Sequence, residues 1–373
     1  MSHARPHRAD HVGSLLRPNV VKQAREAVAN QTISEQKLKT IEDDAIRNVI
    51  KKQEAVGLKV VTDGEIRRSS FSGDFLSGLD GTTDEWAQPG VVPKGDGAAP
   101  IKPIRIQRVT GKLGFSQHPM LAHFEFLKRN TSVTAKMTIP APAMLISSSR
   151  DWRGIVDQSV YPTLDEMFAD LASAYRDAVA AFYAAGCRYL QFDDVNLAYL
   201  CDPVWREKLK DRGDDPDYLL GAWAEVTNAA IANRPDDMFI ATHVCRGNFR
   251  SNWFAQGGYE PIAEKLFTEF GYDGYLLEYD SDRAGGFEPL RFVPQGEKLI
   301  VLGLTTTKVG ALEDRATIRS RIEAASHFVA LDQLALSPQC GFASTEEGNV
   351  ISESEQWDKL AEVVAIAREV WPD

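Results

Sequence analysis

Met238-Phe239-Ile240-Ala241-Thr242-His243-Val244-Cys245-Arg246-Gly247-Asn248 is an apolar run that ends in an imidazole and a thiol. Residues i and i+2 of a strand point the same way, so a strand over 238–245 delivers His243 and Cys245 on one face while Val244 turns to the other. That pair suits a borderline-soft cation such as zinc. An isolated His-x-Cys is ordinarily a satisfied core pair, so further donors are needed. Two stand in matching places: Glu278 closes the apolar run Gly274-Tyr275-Leu276-Leu277, and Cys340 follows Leu334-Ala335-Leu336-Ser337-Pro338-Gln339. Alone, the first reads as a solvated rim charge and the second as a small hydrophobe. Together with the first pair they make a candidate tetrahedral zinc site: His243, Cys245, Glu278 and Cys340, from three strand ends.

An apolar run that ends in polar chemistry recurs along the whole chain. Ala9-Asp10-His11-Val12-Gly13-Ser14 reads as a first strand ending in a Gly-Ser turn, with Pro18 barring a simple helical continuation. Ser34 offers an N-cap for a helix that stops near Gly57. Leu58-Lys59-Val60-Val61-Thr62-Asp63-Gly64-Glu65 is a second strand closing in carboxylates, and Arg188-Tyr189-Leu190-Gln191-Phe192-Asp193-Asp194 is a fourth of the same kind. Strands at 133–140, 238–245, 275–278, 298–304 and 334–340 complete the set. Helical spacing over 164–185, 218–232, 259–270, 314–331 and 355–370 supplies the connections. Residues 71–130 lack this rhythm. They contain Gly95-Asp96-Gly97, several prolines and the alternating run Ile104-Arg105-Ile106-Gln107-Arg108-Val109, which predicts an inserted arm with a hairpin.

Eight strands interleaved with helices predict a (β/α)8 TIM barrel with an inserted arm between strands 2 and 3, residues 1–373 forming a single domain. The rival is a doubly wound open sheet, but no G-x-G-x-x-G or Walker-type glycine loop follows any strand. In a barrel, His11, Glu65, Asp193, His243, Cys245, Glu278 and Cys340 gather at the C-terminal mouth, where such enzymes keep their chemistry.

The chain has 373 residues, a net charge of -11 and no cluster of Lys and Arg, which excludes nucleic acid as the expected partner. No apolar run approaches the roughly 20 residues that span a bilayer, and the polar opening at residues 2–8 lacks the apolar core of a signal peptide. A cytoplasmic protein without a membrane partner is expected. The 4 cysteines form no C-x-x-C pair, and Cys187 and Cys201 read as core residues.

The succession His-Val-Gly-Ser (11–14), Asp-Gly-Glu (63–65), Asp-Asp (193–194), His-x-Cys (243–245), Glu278 and Pro-x-Cys-Gly (338–341) resembles the catalytic half of cobalamin-independent methionine synthase, from Asp10 to about Ser344. The resemblance implies that His243, Cys245, Glu278 and Cys340 hold zinc. It further implies that a thiol acceptor, homocysteine, takes a methyl group from 5-methyltetrahydrofolate to give methionine. His11, at the mouth, and the Ser14 turn, Glu65 and Asp193 are the expected substrate contacts. Without the resemblance, Glu65 and Asp193 would read as rim salt-bridge or capping residues.

Two local departures are visible. Asp193-Asp194-Val195-Asn196 stands where the synthase has Asp-Glu-Pro-Ala, and Thr305-Thr306-Thr307-Lys308 where it has Asp-Ile-His-Ser, the His being an acid. The chain matches only the synthase's catalytic half. With the acidic charge, that points to a small or monoglutamyl methyl donor, or another alkyl electrophile. Other readings are a zinc thiol alkyltransferase of the epoxide:coenzyme M or corrinoid-linked kind, and a non-catalytic zinc-binding protein. The arm could serve as a lid or as a homo-oligomer contact.

Overall fold

The computed structural model describes residues 7–95, 98 and 101–372. Residues 2–6 of the polar opening, and Asp96 and Gly97 of the glycine-rich loop, lie outside the described residues.

The elements follow the chain as α1 (Asn19–Ala29), α2 (Glu35–Ala55), β1 (Val60–Val61), α3 (Gly73–Leu76), β2 (Asp80–Ala87), β3 (Ile104–Gly114), α4 (Pro119–Arg129), β4 (Thr134–Pro140), α5 (Leu164–Ala184) and β5 (Tyr189–Asp194). There follow α6 (Asn196–Cys201), α7 (Pro203–Asp211), α8 (Pro216–Ile231), β6 (Phe239–Val244), α9 (Ala263–Thr268), β7 (Gly274–Glu278), β8 (Leu299–Thr305), α10 (Arg315–Ser326), β9 (Leu334–Pro338) and α11 (Glu353–Val370). Seven strands form one parallel sheet in the order β1-β4-β5-β6-β7-β8-β9. The chain's start supplies the eighth stave. Asp10 N–H donates to Leu336 O (3.0 Å) and Leu336 N–H to Arg8 O (2.8 Å) on one side, while Leu15 N–H reaches Gly64 O (3.0 Å) and Thr62 Oγ1 reaches Gly13 O (2.6 Å) on the other. The fold is a TIM barrel whose first stave is held by a few bonds, one of them from a side chain, rather than by a regular ladder. The (β/α)8 expectation and its arm are borne out.

Two layers of core follow from strand alternation. Val12, Val60, Tyr189, Phe239, Ala241, Leu276, Leu299, Val301 and Ala335 fill the barrel's interior. The opposite faces pack on the helices, for example on the stripe Met167, Phe168, Leu171, Tyr175, Ala178 and Phe182 of α5. Thr163 and Ser34 cap α5 and α2 with their side chains, accepting from Glu166 N–H and Lys37 N–H. The arm is an antiparallel hairpin of β2 and β3 inserted between β1 and β4.

Two readings need correction. Pro18 does not end helical structure: α1 begins immediately after it, because a proline just before a helix needs no N–H and its carbonyl accepts from Val21 and Lys22. The second strand, expected over 58–65, is reduced to Val60–Val61, the rest turning through Gly64 and Glu65 at positive φ. Helices α6 and α7, a segment that the sequence pattern left unread, follow β5, α6 buried at all six residues and α7 through Trp205 and Leu209. Among the described residues no helix is long and apolar enough to cross a membrane.

Candidate metal centre

Alternation decides which side chains reach the mouth. On β6 the interior positions are Phe239, Ala241 and His243; on β5 they are Tyr189, Gln191 and Asp193; on β7 they are Gly274, Leu276 and Glu278. Each inward row therefore ends, at the C-terminal edge, in a residue that carries chemistry. Cys245 continues the β6 row one residue past the strand, its N–H donating to Asp194 O (2.8 Å), and Cys340 arrives on the loop after β9.

The four expected metal donors come together. The ligating atoms of His243, Cys245, Glu278 and Cys340 all lie within 4.8 Å of one another, and all four residues are buried. The two sulfurs are 3.3 Å apart. The His243 Nδ1 faces Leu276 O at 3.1 Å, which makes Nδ1 the protonated nitrogen of the neutral ring and leaves Nε2 as a lone pair with no hydrogen-bond partner. Glu278 accepts the Arg246 backbone N–H on Oε1 (2.8 Å), while Oε2 has no hydrogen-bond partner. Cys245 Sγ accepts from Gly247 N–H at 3.3 Å.

Buried donor atoms without partners are costly in a finished core, and here they cluster. Burial pushes the Glu278 carboxyl up, with Cys340 adding to the effect. The hydrogen bond between the thiols drives Cys245 up and Cys340 down. Crowded acceptors that resist joint ionisation are the arrangement a divalent cation satisfies. The mixture of two sulfurs, one imidazole and one carboxylate fits zinc.

A cavity of about 880 Å³ opens on this cluster. Ser14, Glu65 and Asp193 line it together with His243, Cys245 and Cys340. Glu65 is turned inward by consecutive positive φ at Gly64 (66°) and Glu65 (55°), a strained turn supported by Glu65 N–H donating to Asp63 Oδ1 at 2.8 Å. Its Oε1 accepts from Thr138 Oγ1 (2.8 Å), Arg68 lies 3.6 Å away, and Oε2 has no hydrogen-bond partner. Gln191, two residues before Asp193 on the same face, donates to Asp193 Oδ1 at 2.7 Å. Burial and then the neighbouring Glu65 charge raise the Asp193 carboxyl to about 7. Ser14 also accepts from Ala343 N–H (3.4 Å), and Gly341 lets the Cys340 loop approach, since a Cβ there would lie 1.9 Å from Ser14 Oγ.

His11 does not reach the cavity. Val12 and Ser14 face inward, so His11 faces out toward Gln53 of α2 and Val60, where burial first and the Lys136 charge next lower its pKa to about 4. Several residues without a sequence signal join the site. Thr138, Gln191 and Asn248 hold or line it, and the arm's Phe71, Trp86 and Ile104 wall its outer half. Only the i−2 position of Gln191 could have marked one of them.

A model of the cobalamin-independent synthase catalytic domain matches residues 9–368. The Bacillus subtilis protein YxjH, of uncharacterised function, is 47% identical over 368 residues, covering 98% of this chain and 95% of that protein. A Listeria monocytogenes structure provisionally assigned as a vitamin-B12-independent methionine synthase superposes with a TM-score of 0.78 at 41% identity, over 99% of both chains. The 5-methyltetrahydropteroyltriglutamate–homocysteine methyltransferase of Corynebacterium glutamicum is 27% identical over 245 residues, 64% of this chain and 29% of that protein.

Proposed function

The chain belongs to the cobalamin-independent synthase catalytic-domain family, a family of methyltransferases, and from that premise we propose that it is a zinc-dependent thiol methyltransferase converting homocysteine to methionine. We take residues 1–373 as one barrel domain with 71–130 as its arm. The observation that carries the proposal is a cluster of four buried donors, three of which line one cavity together with two buried carboxylates. His243, Cys245, Glu278 and Cys340 would hold zinc. When bound, zinc supplies a substrate thiol that is deprotonated at neutral pH and so nucleophilic.

The chain's own residues do the rest. Glu65 and Asp193 hold the substrate ammonium by charge-assisted hydrogen bonds, which places the thiol toward the ligand cluster. Thr138 and Gln191 keep those carboxylates oriented. The apolar outer cavity, walled by the arm, seats the methyl donor beyond the thiol and keeps water from competing for the methyl group. A non-catalytic zinc site has four closed ligands and no use for a cavity lined by acceptor-binding carboxylates.

Metal analysis of protein purified under reducing conditions is expected to find about one zinc per chain. Cys245→Ser and Cys340→Ser should lose most of it, and the wild type should methylate homocysteine with one member of a donor panel. Protein that carries no zinc, or serine variants that keep it fully, overturn the proposal.

A further inference from the structure

One polar group on the cavity wall is used neither by the ligand cluster nor by the carboxylates that face the substrate ammonium. Among the described residues of the lining, the buried side-chain atoms without a hydrogen-bond partner are Glu65 Oε2, His243 Nε2, Arg67 Nε and Asn248 Oδ1. The first two are taken by the proposed ammonium and metal, and Arg67 is turned to Glu42 and Asp43. Asn248 Oδ1 remains.

Asn248 is 5% exposed, and its amide has one possible orientation. Nδ2 donates to Gly341 O at 2.8 Å, and a carbonyl can only accept, so the nitrogen belongs on that side and the oxygen faces away from it. The same carbonyl accepts from Thr307 Oγ1 at 3.1 Å, which occupies both its lone pairs. Nδ2 also lies 3.4 Å from Ser344 Oγ, itself 3.8 Å from Cys340 Sγ. Three residues past Cys245 on the outgoing loop, the amide is thus pinned to the loop that carries Cys340. A buried amide oxygen is costly unless an N–H or O–H comes to it.

Charge and size say what brings that hydrogen. The homocysteine ammonium goes to Glu65 and Asp193, because a carboxylate binds a cation more strongly than a neutral amide oxygen does. The cavity, at about 880 Å³, falls within the roughly 300–1,000 Å³ that enclose drug-sized ligands, more than a small alkyl compound fills. Trp86 of the arm lines its outer half although 73% exposed, and an indole face packs best against another flat ring.

Resting on the methyltransferase reading above, we propose that Asn248 is a specificity-determining residue for the methyl donor: its Oδ1 accepts an N–H from the edge of a flat nitrogen heterocycle whose face packs on Trp86. The ring of 5-methyltetrahydrofolate has this chemistry. Sulfonium compounds and other small alkyl electrophiles bring no ring and no N–H to the contact, so the wall discriminates against them. Gly341 O holds the amide in place before the methyl donor arrives, which leaves little ordering to be done on binding. Asn248 touches the body of the methyl donor and not the methyl group.

The test uses the zinc-loaded full chain with homocysteine and two methyl donors, monoglutamyl 5-methyltetrahydrofolate and methyl iodide, which has no N–H. Asn248→Ala should raise KM for the folate about five- to tenfold with kcat little changed, and alter the enzymatic rate with methyl iodide less than about twofold. Trp86→Ala should raise KM for the folate alone, and Trp86→Phe should restore most of it. In the wild type, where folding of a variant is not at issue, dimethyltetrahydropterin should compete with the folate, while tetralin, of similar shape but without an N–H, should not. An equal loss with both methyl donors, or no loss with either, makes Asn248 a tie between loops and overturns the inference. So does tetralin that competes as well as the pterin. A wild type that methylates homocysteine from methyl iodide but binds no folate overturns the inference and leaves the methyltransferase reading standing. A wild type that takes up no zinc, or methylates homocysteine from neither compound, overturns both.

Discussion

In the proposed reaction, acceptor recognition turns on Asp193. It ends the inward row of β5, beside His243 in the register of β6, and its carboxyl is 4% exposed at the base of the cavity. A charge-assisted hydrogen bond to a substrate ammonium is worth about 1.5–3 kcal/mol, so Asp193→Asn should weaken homocysteine binding roughly 10- to 150-fold. Zinc content should stay unchanged, because Asp193 is outside the ligand set. Equal homocysteine affinity in both proteins would mean that Asp193 is a structural rim residue. The four candidate donors and both carboxylates were legible from their place at the ends of apolar runs. His11 was misplaced because a one-residue offset from Val12 and Ser14 puts a side chain on the opposite face of a stave, and the run 9–14 is too short and mixed to reveal its inward parity.

The first stave lacks a regular ladder and is pinned by a few backbone bonds and a buried ion pair. Lys136 of β4 lies 2.8 Å from Asp10 Oδ1 and Tyr189 donates to Oδ2 at 2.6 Å, with both charged side chains fully buried. Breaking such a pair by Lys136→Met should cost about 3–5 kcal/mol in chemical denaturation, and adding Asp10→Asn should recover part of it. Burial alone would raise the Asp10 carboxyl, but the Lys136 charge, His11 and the hydrogen bonds hold it below its usual value. The folded pKa is thus depressed, so the stabilisation is fully present above the unfolded value of about 3.9 and lost as pH falls through the folded one. The stability gap between wild type and Asp10→Asn should be constant from neutral pH down to about pH 5 and shrink below about pH 4. A gap that does not depend on pH would show that the charge on Asp10 contributes nothing.

At the scale of the molecule, the arm turns a barrel mouth into a deep cavity, and three of the five described cations lining it are paired with carboxylates. Arg25 pairs with Glu42 and Glu346, Arg67 with Glu42 and Asp43, and Arg105 with Asp74 and Asp84. A chain of net charge -11 adds no general attraction for a polyanionic tail. Steady-state kcat/KM should therefore differ by less than about threefold between mono- and triglutamyl methyltetrahydrofolate, well under the 1.4 kcal/mol of a tenfold preference. A strong preference for the triglutamate would show that the outer cavity binds the tail. The barrel, the arm's position and the four candidate metal donors were determined by sequence alone, because strand alternation and apolar runs are local properties that repeat eight times along the chain. The inward parity of the first stave, the pairing of Asp10 with Lys136, the course of the hairpin and the setting of Glu278 beside Arg283 were decided only by tertiary structure. Most of these join residues far apart in the chain, and closure of the ring, which no local pattern encodes, is what brings them within a few ångströms.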